Sequence, residues 1–168
     1  ASTYLAGLGH RRIALLNGEP GFMFPVGCRE GYESGLFLSG LELDPDLIRE
    51  WKHKDPSQSS YRWTLELFKN DNPPTAILFQ TEAVNGIFKG LDELDLQPGK
   101  DVALIGYDDL EIARIHRPSL SVLRPQAKEA GQRVVNILME VIKGEDPGKF
   151  QEIHQVEMVI RETSLPPS

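Results

Sequence analysis

The chain has 168 residues, close to one domain at roughly 150 residues per domain and long enough to bury a single core. Its 40% hydrophobic and 26% charged residues exclude disorder, and the lone Cys28 excludes a disulfide scaffold. The 25 acidic residues outnumber the 18 basic ones for a net charge of −7, which repels phosphate backbones and excludes this stretch as a nucleic-acid grip in its own right.

Ala1 to Gly9 reads as helix, without an initiating Met or a basic start, so no secretory leader is expected and the chain reads as a piece of a longer protein. Ile13 to Leu16 is a short apolar run ending in the turn signal Asn17-Gly18-Glu19-Pro20-Gly21. A helix is predicted from about Pro25 to Gly40, then a strand over Leu47 to Trp51. Asp55-Pro56-Ser57 supplies a cap and a first-turn proline for a helix with Tyr61, Leu65 and Phe68 on one face. Thr75 to Phe79 reads as a buried strand, and Thr81 as the cap of a helix carrying Val84, Ile87, Phe88, Leu91 and Leu94. In that helix Gly86 and Gly90 are expected to let it pack close to a sheet.

Val102 to Tyr107 is the next strand, ending in Asp108-Asp109, and a short apolar segment follows at Leu120 to Leu123. A long helix runs from about Pro125 to Lys143 with the stripe Ala127, Ala130, Val134, Leu138 and Val141, and Val156 to Ile160 alternates as a last strand. Strand and helix take turns throughout, which predicts an α/β fold: a parallel sheet flanked by helices on both faces. No apolar run of about 18 residues occurs, so no membrane span is expected.

Ligands of such sheets bind beyond the carboxyl ends of the strands, where Asn17, Gln80-Thr81 and Asp108-Asp109 fall. These groups suit hydrogen bonds to neutral polyols or amides, or else they cap the helices that follow. No nucleophile elbow, zinc-protease motif, phosphate loop or dinucleotide fingerprint is present, so neither an enzyme nor a cofactor is expected. The histidines at 10, 53, 116 and 154 lack metal-ligand spacing and are expected at the surface, and Cys28 as a small buried side chain.

Together, Leu8 to Leu16, Gly31-Tyr32, Pro74 to Ile77, Val102 to Asp109, Pro118 to Val122, Gln126, Gly131 and Arg161 to Pro167 resemble the lactose/galactose-repressor (LacI/GalR) family of transcriptional regulators, in order and spacing across nearly the whole chain. The resemblance implies a periplasmic-binding-protein-like (type I) domain of two α/β lobes around an effector cleft. Residues 1–122 and 148–168 would form the C-terminal subdomain, and 123–147 a helix belonging to an N-terminal subdomain otherwise absent along with the DNA-binding head. It further implies a cytoplasmic homodimer that binds a small-molecule effector, a sugar or a related polar compound, and meets operator DNA only through the absent head. A periplasmic sugar-binding protein of a transporter shares the fold and is the alternative.

Carried over residue by residue, the resemblance gives Asp108 the aspartate that hydrogen-bonds the effector and Gln80 a place where many members carry Asn. Phe22 and Phe24 fall in the cleft-lining loop, and Asp55 where several members present an aromatic. Cys28 stands where the family usually has an effector-contacting arginine. Arg29 replaces it only if the helix start shifts, since neighbouring helix positions point about 100° apart.

Overall fold

A computed structural model describes residues 1–51 and 55–167. The continuous apolar runs form the inner strands β1 (Ile13–Asn17), β3 (Ala76–Gln80) and β4 (Ala103–Tyr107), with β2 (Ile48–Glu50), β5 (Ser121–Pro125) and β6 (Val156–Val159) completing one sheet in the order β2-β1-β3-β4-β5-β6. Leu15 pairs with Ile48 on one side and Leu78 on the other, Leu78 pairs with Ile105, and Ile105 with Ser121, all in parallel. β6 alone runs antiparallel, setting Glu157 opposite Arg124. Alternation of elements does not specify that direction.

Six α-helices are formed among the described residues: α1 (Ser2–Gly7), α2 (Met23–Leu38), α3 (Pro56–Phe68), α4 (Val84–Glu93), α5 (Glu111–Ile115) and α6 (Ala127–Ile142). Successive strand residues point to opposite faces, so β1 feeds two cores at once. Ile13 and Leu15 pack with Leu78, Ile105, Leu5 of α1 and Tyr32 and Leu36 of α2. Ala14 and Leu16 pack with Ile77, Leu104, Leu67 of α3, Ile87 and Leu91 of α4 and Ala113 of α5. With both faces sealed, the α/β expectation holds. The Tyr32 hydroxyl donates to Ile13 O at 2.7 Å, fixing α2 to the start of β1.

Four expectations change. The buried face of α3 is Ser60, Thr64 and Leu67, one position from the expected Tyr61, Leu65 and Phe68, which are only half-buried. The cause lies in α4, where Gly86 and Gly90 press against α3 rather than the sheet: a Cβ on Gly86 would sit 1.8 Å from Ser57 O. Small polar residues therefore occupy the crossing, and Ser60 Oγ donates to Ala83 O at 2.9 Å. His10 is 1% exposed rather than on the surface, its ring bridging Thr75 Oγ1 and Leu165 O at 2.9 Å each. His116 is half-buried against the Phe88 ring, His154 is exposed, and His53 lies outside the described residues.

No residue of α6 is buried, and Val134, Val135, Leu138, Met139 and Ile142 all stand exposed along it. No helix among the described residues is long and apolar enough to cross a membrane.

The two helix environments predict opposite effects of adding one methyl group. Gly86→Ala should destabilise the chain by about 1–3 kcal/mol through overpacking. Gly131→Ala, which meets nothing within 4 Å, should stabilise it by about 0.4–1 kcal/mol. Thermal unfolding followed by circular dichroism checks both, and a neutral or stabilising Gly86→Ala would contradict the close crossing.

Candidate functional site

From β1 the chain crosses to β2 on one side and then to β3 on the other, so strand order reverses between β1 and β3. The crevice outside the carboxyl ends of the strands at such a point is where ligands of open parallel sheets bind. A cavity of about 600 Å³ opens there, with Asn17, Gln80 and Tyr107 from the strand ends and Phe24, Gly27, Cys28 and Gly31 along one face of α2. Most of the lining is apolar, and the Phe24 and Tyr107 rings meet edge to face with centroids 4.6 Å apart.

The polar groups divide by how much of their hydrogen bonding is already used. Asn17 is buried, and its amide donates to Pro25 O at 2.8 Å, anchoring the first turn of α2. Gln80 reaches Asn17 Oδ1 only at 3.5 Å, so its amide stays largely available to a ligand. Asp108 follows the lining residue Tyr107 at the end of β4 without itself lining the cavity, and its φ of +78° is a left-handed conformation uncommon for a non-glycine residue. Its N–H donates to Leu123 O at 2.9 Å, and its carbonyl accepts from Thr81 Oγ1 at 2.8 Å. Thr81 therefore does not cap its helix as expected. Its hydroxyl crosses β4 at Gly106, where a Cβ would stand 2.5 Å from Thr81 Oγ1, and clamps the Asp108 peptide.

Burial pushes the Asp108 carboxyl above the ordinary aspartate range. Cys28 is half-exposed on the cavity wall rather than buried. Burial, and then the charge of Asp108, push its thiol up to about 11, so it is protonated and unreactive at neutral pH. Burial also raises Tyr107, helped by Cys28 and Asp108.

Asp109 behaves in the opposite way. Its side chain is 3% exposed and accepts from Arg114 at 2.7 Å, Arg161 at 2.7 Å and Arg124 at 3.2 Å. Burial alone would raise its carboxyl, but the hydrogen bonds and charges of Arg114 and Arg161 outweigh this and hold it below the ordinary range.

Of the expected residues, Gln80 and Phe24 line the cavity, Asp108 stands next in the chain to the lining residue Tyr107, and three lie elsewhere. The Arg29 guanidinium pairs with Glu33 at 2.8 Å and Glu50 at 3.2 Å, tying α2 to the end of β2 instead of entering the cavity. Asp55 accepts from Gln58 N at 2.8 Å and so caps α3. Phe22 is the residue before α2, 55% exposed and outside the lining. Sequence reasoning missed Tyr107 and, beside the expected Phe24, the rest of the α2 face formed by Gly27, Cys28 and Gly31. The three-to-four-residue spacing of that face was the signal available.

Comparison with known proteins agrees with this fold. A model of the periplasmic binding protein-like domain matches residues 3–164. The HTH-type transcriptional regulator AglR of Rhizobium meliloti is 29% identical over 99% of this chain and 47% of its own length. The HTH-type transcriptional repressor PurR of Histophilus somni is 27% identical over 97% of this chain and 49% of its own length. A crystal structure of a LacI-family regulatory protein from Chloroflexus aggregans superposes with a TM-score of 0.88 at 27% identity, covering 96% of this chain and 58% of that one. The chain thus spans about half the length of the curated relatives it matches.

The neighbouring aspartates should titrate on opposite sides of the unfolded value of about 3.9. The depressed Asp109 contributes stability that is present above that value and lost as pH falls through its lower folded pKa. The raised Asp108 acts conversely, its contribution present at low pH and lost as pH rises through its folded pKa. Carboxyl carbon chemical shifts followed against pH check this, and coincident midpoints would contradict the burial argument.

Proposed function

We propose that this chain, which belongs to the periplasmic binding protein-like domain family in the form carried by LacI-type regulators, is the effector-sensing part of a bacterial DNA-binding transcriptional regulator. The observation that carries the reading is the cavity at the strand-order reversal, lined by Gln80 with an amide open to hydrogen bonding and by no described arginine or lysine, with Asp108 next in the chain to the lining residue Tyr107. Such a lobe suits an uncharged polar small molecule, a sugar or a related compound, lying against Phe24 and Tyr107.

Residues 1–122 and 148–168 form one lobe in this reading, and the helix at 123–147 belongs to a second. What supports the division is α6, whose apolar residues are exposed along its length while every other α-helix buries some of its own. Effector bound between the lobes shifts the balance between two lobe arrangements, typically by about 1–3 kcal/mol of coupling, and so changes operator affinity in a homodimer that works in the cytoplasm. The HTH-type relatives favour a regulator over the solute-binding component of a transporter. No catalysis is required, and the protonated Cys28 thiol offers no ready nucleophile.

Asp108→Ala in the intact regulator should weaken effector binding at least tenfold while shifting the melting temperature little. A thermal-shift screen of neutral sugars, polyols and nucleobases against the wild type supplies the ligand, and calorimetry compares the variant. Unchanged affinity in a folded variant would overturn the site.

A further inference from the structure

The enclosed Asp109 carboxylate gathers three arginines from three different segments, two of them, Arg114 and Arg124, reaching in from the surface. It collects Arg114 from α5 through both oxygens, Arg124 from β5 and Arg161 from just beyond β6. Arg124 also reaches Glu157 of β6 at 2.7 Å, directly across the strand pair. Arg161 also donates to Leu120 O at 2.7 Å, and its own N–H to Ser121 Oγ at 2.8 Å. β5 and β6 are the strands by which the chain leaves for α6 and returns from it. The adjoining hollow between Arg114, Arg117, Arg161 and Glu162 is not an anion site, because Arg114 and Arg161 are committed to Asp109 and Arg117 is turned onto backbone carbonyls.

One peptide bond separates this cluster from Asp108, whose own peptide is held by Thr81 on one side and by Leu123 of β5 on the other. We propose that Asp109 is a positioning residue for the effector site, fixing the left-handed pose of Asp108 and, through its three arginines, the strand pair β5–β6, so that displacing either end displaces the other. The proposal rests on Asp108 being the effector contact. The linkage itself is a property of the unliganded chain. Thr81 belongs to it because it holds the Asp108 carbonyl without touching any arginine of the cluster.

Amide hydrogen exchange on the unliganded protein tests it, with no effector required. Thr81→Val removes the clamp remote from the arginines. It should speed exchange at least tenfold both at Asp108 and in the β5–β6 ladder at Val122, Leu123, Met158 and Val159, leaving β1 and β3 unchanged. Asp109→Asn should produce the same pattern from the other end, and the double variant should exceed either single variant by less than the product of their effects. Acceleration confined to Asp108 and the start of α4 in Thr81→Val, or a uniform rise across all strands, overturns the linkage. Because Thr81→Val leaves the ion pairs in place, unfolding of Asp109→Asn alone would not mask the result. An effector that ignores Asp108 would instead show in the binding comparison above with these exchange patterns intact.

Discussion

A parallel sheet sealed by helices on both faces leaves one place where polar side chains can meet a ligand, the edge at which its strands end. In this chain the faces are filled by residues such as Leu15, Leu78 and Ile105 on one side and Leu16, Ile77 and Leu104 on the other. The groups with open valence therefore gather where β1, β3 and β4 stop. The reversal of strand order at β1 splits the edge there, and the cavity follows from the topology.

Within that edge the two adjacent aspartates take on different work because their surroundings differ. Asp108 is desolvated without a cationic partner, and its carboxyl is raised towards the neutral form. The Asp109 side chain is also enclosed, yet it is surrounded by guanidinium groups, which lower it. A carboxylate without a cationic partner among the described residues keeps its hydrogen-bonding capacity free, whereas one shared by three arginines holds structure. The same contrast explains Arg29, which stands one residue from the cavity wall but has its charge claimed by Glu33 and Glu50.

Much of the fold was legible in the sequence because its signals are local. Ile13–Leu16, Ala76–Phe79 and Ala103–Ile105 are unbroken apolar runs between turn residues, and Asp55-Pro56 marks a helix start with both a cap and a fixed φ. The place of Gln80 after a strand and of Phe24 in a family-like loop made these two lining residues of the cavity legible, and Asp108 was legible only as the residue that follows β4 beside the lining. What the sequence concealed depends on partners far along the chain. Thr81 reads as a cap until Asp108, 27 residues on, offers its carbonyl. His10 reads as solvated until Leu165 folds back over it. The buried face of α3 is set by glycines in α4, which no pattern within α3 records.

The central claim, that this is the effector lobe of a DNA-binding regulator, is tested most directly by reading the coding sequence upstream of Ala1 in the source genome. The account predicts a helix-turn-helix head, then a hinge and the first part of a second α/β lobe able to cover the exposed face of α6. An export signal followed by a solute-binding lobe, with no DNA-binding head, would contradict it and make the same cavity part of a transport receptor.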